Sequence, residues 1–232
     1  MQTDLRISDG ACLCSLFVLI SRRFGGAYGV SKMPPVQSAF PFYLDGPARP
    51  AKPERLMFLL FPDKETALRV WWFAGQFIRK SGLQGRRIKW KRLHISLQHV
   101  GDYSCLRTKF IYAAKQAGNA VAAYPFEVTF RSVGSFEGAP AVAGRPRKRP
   151  LVLLAEGDAL LNLHGVLGAA MERNGLKASA DFTPHMTLLY GRRKVPFQPI
   201  EPIRFTATAF ALVHSELGLS KYNLINRWPF QG

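Results

Sequence analysis

Apolar positions along the chain fall into strand-like runs and helix-like stripes, separated by Gly, Pro and Asp. Residues 55–61, Arg-Leu-Met-Phe-Leu-Leu-Phe, are a near-continuous apolar run closed by Pro62, the pattern of a buried strand. Asp63 stands where a helix N-cap belongs, and Leu68, Trp71, Trp72, Gly75 and Ile78 follow at three-and-four spacing up to Gly82. This predicts a helix whose aromatic residues serve the core rather than stack on a base. Residues 91–99 form a short strand closed by Gly101 and Asp102, and an Ala-rich stripe of Phe110, Ala113, Ala114 and Ala117 predicts a helix over 106–121.

The pattern then recurs. Residues 126–130 alternate as a strand that 133–136 continue, 151–155 read as a buried strand, and 158–174 as a helix that Gly175 stops, with Leu160, Leu163, Leu167, Ala170 and Met171 inward. A strand around 185–189 follows, and 203–213 and 222–225 close the chain. Strand, helix, strand thus occurs twice, which reads as a diverged internal duplication. The predicted fold is α+β and bilobal, with two antiparallel sheets and outer helices flanking a central cleft. Residues 1–53 hold Gly25-Gly26, Pro34-Pro35 and clustered prolines without periodicity, so they are expected to be a disordered leader ahead of one domain over 54–232.

Charge narrows the partner. Lys and Arg outnumber Asp and Glu by 32 to 15, a net charge of +17, which points to a polyanion such as nucleic acid or an anionic membrane surface. The basic residues gather over 86–92, 145–149 and 192–194. Residues 11–20 are apolar, yet about half the roughly 20 residues that cross a bilayer, so no membrane span is expected. Three cysteines make no disulfide framework or four-ligand zinc pattern; a reduced, cytoplasmic chain without metal or cofactor is expected, acting as a monomer.

Candidate chemistry sits in the two equivalent strands. His94-Ile95-Ser96-Leu97 and His185-Met186-Thr187-Leu188 lie 91 residues apart. Because strand side chains alternate, His94 shares a face with Ser96 and His185 with Thr187, while Ile95, Leu97, Met186 and Leu188 take the other. A titratable imidazole beside a hydroxyl donor, present twice, suits a site that holds a phosphate between an acid and a base. His99, His164 and His214 are expected to be structural or surface residues.

These paired motifs, with Pro184, with Gly101-Asp102 and with Ser215-Glu216-Leu217-Gly218 before Tyr222, resemble the two-histidine phosphoesterases, in their branch of 2'-5' RNA ligase-like RNA 2',3'-cyclic phosphodiesterases. The resemblance covers residues 55–229. It implies hydrolysis of RNA 2',3'-cyclic phosphate ends to 2'-phosphates, with reverse 2'-5' ligation by microscopic reversibility, and His94, Ser96, His185 and Thr187 as the catalytic set. It also implies His94 as proton donor and His185 as acceptor, an assignment the near-symmetric motifs leave open. Two other readings remain: a phosphodiesterase of small cyclic nucleotides, and an RNA-binding module without catalysis. Relatives commonly carry an arginine three residues after the second hydroxyl, where this chain has Tyr190. A regular strand turns position 190 away from His185, so neither Tyr190 nor Arg192 is assigned to the phosphate.

Overall fold

The computed structural model describes residues 54–141, 147–216 and 222–231. The leader expected over 1–53 lies outside them, as do Arg145, Leu217 and Gly218. The chain runs β1 (Glu54–Leu60), α1 (Lys64–Lys80), β2 (Gly85–Arg87), a 3-10 turn at Trp90–Arg92, β3 (Ile95–Tyr103), α2 (Thr108–Asn119) and β4 (Phe126–Ser135). It continues through β5 (Arg149–Glu156), α3 (Asp158–Arg173), β6 (His185–Gly191), β7 (Gln198–Ala207), β8 (Ala209–Glu216) and β9 (Tyr222–Pro229).

Local sequence explains most boundaries. Asp63 caps α1 by accepting the Thr66 amide at 2.8 Å, and Gly82 leaves the helix with φ +60°. Gly175 does the same after α3 with φ +72°. The closing segment expected as one strand over 203–213 is two: β7 ends at Ala207 paired with β4, and after Thr208 the chain continues as β8, which pairs with β1 and β9 in the other half of the sheet. The first histidine strand starts later than expected: Trp90–Arg92 coil into the 3-10 turn, and His94 sits immediately before β3.

The strands join antiparallel in the order β7-β4-β5-β6-β3-β1-β8-β9, with β2 added on β6. Four strands on one side of the β6/β3 seam mirror four on the other, which is the duplicated arrangement. The two predicted sheets are joined at a single pair, Ile95 opposite Met186. Both residues are fully buried, so truncating either to Ala should cost about 2–5 kcal/mol. Beyond this point β6 leaves β3 and pairs with β2 through Leu189, Tyr190 and Gly191, so the seam opens into a cleft.

Helices α1 and α3 each pack across the seam onto the other half. Arg69 of α1 donates to the Arg204 carbonyl on β7 at 2.6 Å, and α3 packs on β3. Gln98 of β3 is buried and donates to His164 Nε2 at 2.8 Å and to the Ser179 carbonyl at 3.1 Å, while accepting from the Ser179 amide at 3.0 Å. One amide therefore ties α3 and the segment before β6 to β3. The Ala-rich α2 lies close on β9, where a Cβ on Gly118 would collide with the Trp228 ring.

The main core, built on Phe58, Phe130, Phe210 and Leu153, fills the helical side of the sheet. A second small cluster, Met57, Leu59, Ala211 and Val213, forms with Phe61 and Tyr222 on the opposite face, beside His94. No helix among the described residues is long and apolar enough to cross a membrane.

Candidate active site

The antiparallel seam fixes the site. With Ile95 opposite Met186, the next positions on either side set His94 toward Thr187 and Ser96 toward His185. All four line one cavity of about 270 Å³ on the face away from the helices. The residues expected from the paired motifs are therefore brought together.

Both imidazoles are held in the same way. His94 Nδ1 lies 2.7 Å from the Arg92 carbonyl, and His185 Nδ1 lies 2.7 Å from the Thr183 carbonyl. A carbonyl only accepts, so each Nδ1 carries the proton and each Nε2 is the nitrogen available for chemistry. Aromatic rings brace both: Tyr222 stands edge-on to His94 at 5.5 Å, and Phe136 edge-on to His185 at 4.9 Å.

A second shared feature corrects the reading of Tyr190. In β6 the pairing with β5 passes from Leu189 to Thr187, leaving Leu188 as an extra residue. In β3 the pairing with β1 passes from Gln98 to Ser96, leaving Leu97 extra. Each is a β-bulge, three residues after a histidine, and each reverses the alternation that follows. Leu188 and Leu189 both point into the core and Tyr190 returns to the cavity, against the expectation for a regular strand. His99, the equivalent of Tyr190, is likewise turned to the site side, where its Nε2 meets Asp102 at 3.0 Å.

That contact belongs to the feature sequence reasoning missed. Arg55, read only as the start of a buried strand, alternates with Met57 and lines the cavity. Its Nε and Nη2 donate to the two Asp102 oxygens at 2.7 and 2.6 Å. This fork holds the Asp102 carboxyl down at about 2, chiefly through the hydrogen bond from Arg55. The signals available in the sequence were the parity of 55 with 57 and the Gly101-Asp102 pair, neither of which names the other.

Charge in the cavity is unequal between the halves. Arg86 and Arg92 also line it, against one lining acid, Glu216, so the cavity favours an anion. Arg92 lies over the Tyr222 ring at 4.2 Å, beside His94. His94 keeps some exposed surface, but close packing by protein desolvates its imidazolium and pushes its pKa down to about 4; the charges of Arg92 and His185 act in the same direction. In the free protein His94 is therefore neutral at physiological pH.

The two remaining histidines fall where expected. His164 is buried, stacks on Phe182 at 4.2 Å and bonds Gln98; burial lowers its pKa. His214 lies 3.0 Å from the Glu54 carboxylate, without hydrogen-bond alignment. Trp71 packs against the core under the Arg87 guanidinium, whereas Trp72, expected on the core face of α1, is exposed because Thr66, Ala67, Val70, Ala74 and Gly75 form the buried stripe; neither tryptophan lines the cavity. Of the third basic stretch, Lys194 pairs with Glu137, and Arg193 donates to the Ser81 carbonyl at 3.0 Å.

Known proteins share this fold. Escherichia coli LigT in complex with ATP superposes with a TM-score of 0.59 at 19% identity, covering 78% of this chain and all of that one. The same protein with 3'-AMP gives 0.59 at 21% identity and the same coverage. TT0787 of Thermus thermophilus gives 0.61 at 20% identity, over 77% of this chain and 98% of that one. At these identities the likeness is one of fold. No curated protein matches by sequence. The family model described as the 2'-5' RNA ligase superfamily matches residues 66–219, which contain both histidine motifs, and the chain belongs to that superfamily.

Proposed function

We propose that the protein is a cyclic phosphodiesterase that opens RNA 2',3'-cyclic phosphate ends to 2'-phosphates. Membership of the superfamily supports a phosphoesterase role, and the observation that carries the finer reading is the duplicated histidine. Two imidazoles, each with Nδ1 tied to the carbonyl two residues before it, present Nε2 to one cationic cavity. A cyclic phosphodiester needs this pairing, because its hydrolysis takes a proton from water on one side of phosphorus and gives one to the leaving oxygen on the other.

In this reading water attacks phosphorus in line with the 3'-oxygen, and His185 Nε2 takes the proton that water loses. The P–O3' bond breaks, and His94 Nε2 delivers a proton to O3', leaving a 2'-phosphomonoester and a free 3'-hydroxyl. Ser96 and Thr187 donate to the non-bridging oxygens as they gain charge, and Arg55 and Arg92 offset that charge. Because His94 is pushed down to about 4 in the free protein, the phosphate anion seated beside it supplies the charge that favours its protonated form. Acid, base and anion-stabilising groups are all side chains, so the reaction requires no metal.

The test is incubation of the purified protein, with excess EDTA, with short RNAs ending in 2',3'-cyclic phosphate, followed by identification of the terminus. A 2'-phosphate is expected. A 3'-phosphate, or turnover only when a divalent ion is restored, overturns the reading.

A further inference from the structure

The cavity is continued by a basic and aromatic surface that the acid–base reaction does not use. Phe136, edge-on to His185, lies 5.9 Å from Phe197, which is 45% exposed. Phe197 rests on Gly134, where any side chain would collide with its ring. Its chain neighbours Pro196 and Gln198 line a second cleft of about 560 Å³, together with Lys80 and Arg193.

The two cavities lie along one stretch of chain. Tyr190 lines the first and Arg193 the second, three residues apart along the chain, which bends after β6 ends at Gly191. Gly191 between them pairs with Gly85 on one side and Arg149 on the other. The one acid on this connection, Glu137, is matched by three cations, Arg147, Arg149 and Lys194, which leaves the surface positive.

A cationic groove with aromatic faces is the general way of holding single strands, where the bases stack and the phosphates meet cations. We propose that the path from Phe136 over Phe197 to the cleft at Lys80 and Arg193 is a subsite for the nucleotides next to the reacting end of a single-stranded polynucleotide. The inference rests on the cyclic phosphodiesterase reading, which it deepens by assigning named residues to the nucleotides that adjoin the reacting end.

The test uses binding, so it does not depend on turnover. A fluorescent single-stranded oligoribonucleotide ending in 2'-phosphate is titrated against the full chain, alongside the corresponding 2'-mononucleotide in competition. Phe197→Ala should weaken the oligomer on the order of tenfold and leave the mononucleotide unchanged, since one stacked base is lost. Phe197→Leu, which keeps apolar contact over Gly134, should do the same at an unchanged melting temperature. The double variant Lys80→Ala/Arg193→Ala should lower the slope of log affinity on log salt for the oligomer by about 1.4, two single-strand phosphate contacts at roughly 0.7 each. If these variants bind the oligomer as the wild type does, or weaken both ligands alike, the subsite is wrong. Hydrolysis of a cyclic mononucleotide by the wild type reports separately on the reaction, so the two failures are distinguishable.

Discussion

The two halves of the site share a frame and differ in charge. Each offers a histidine anchored through Nδ1, a hydroxyl two residues on and a bulge at the third, so the seam positions two like groups around a local two-fold at Ile95 and Met186. The first half then surrounds its histidine with Arg92, Tyr222 and the Arg55–Asp102 fork, whereas the second sets Phe136 edge-on to His185 and places Tyr190, opposite Arg86 of β2, where the first half has His99. Duplication thus accounts for the pairing of two imidazoles, and divergence for their unequal surroundings.

Removing the shared part should cost most. In the double variant His94→Ala/His185→Ala, turnover of a cyclic-ended RNA should fall little further than in the worse single variant, itself down about 10² to 10⁴, because the imidazoles act as one unit. Steady-state rates of the three variants check this; a product of the single effects would mean that the halves work independently. Next come the hydroxyls. Ser96→Ala and Thr187→Ala should each lower kcat by about 10² or less, and by similar factors, since each faces the opposite histidine across the seam.

The unequal part should show smaller effects. Asp102→Asn keeps an acceptor but frees one arm of the Arg55 fork, so kcat/KM should drop on the order of tenfold while the melting temperature barely moves, the ion pair being partly exposed. Arg55→Lys should share that loss, because an ammonium cannot make the fork. The smallest effect concerns stability. Between about pH 6.5 and 4 the unfolded chain protonates position 94 while the folded protein does not, so stability falls as pH drops through that window and is unaffected above it. Melting curves from pH 4 to 7 should show this slope reduced in His94→Gln; an unchanged difference between the two proteins would mean that His94 titrates normally.

Much of this was legible in the sequence, for identifiable reasons. His94, Ser96, His185 and Thr187 were readable because alternation holds over three residues of strand, and the helices because Asp63, Gly82 and Gly175 punctuate them. Alternation failed at Leu97 and Leu188, where a bulge inserts a residue without a compositional mark, and Tyr190 was thereby assigned to the wrong face. Arg55 was missed for another reason: its meaning lies in Asp102, 47 residues away, and only sheet pairing brings the two together. The break between β7 and β8 was hidden because Thr208 parts the two strands without Gly or Pro.

The central claim is that two like-anchored histidines do opposite jobs, and a change of leaving group tests it most directly. Rates of the wild type, His94→Ala and His185→Ala are measured on cyclic-ended RNA and on bis(4-nitrophenyl) phosphate, whose nitrophenolate departs without a proton. Both variants should lose about 10² or more on RNA, and on the aryl ester His94→Ala should return close to the wild-type rate while His185→Ala stays impaired. Recovery of His185→Ala instead would exchange the two roles, and correctly folded variants that both turn over RNA at the wild-type rate would contradict the account.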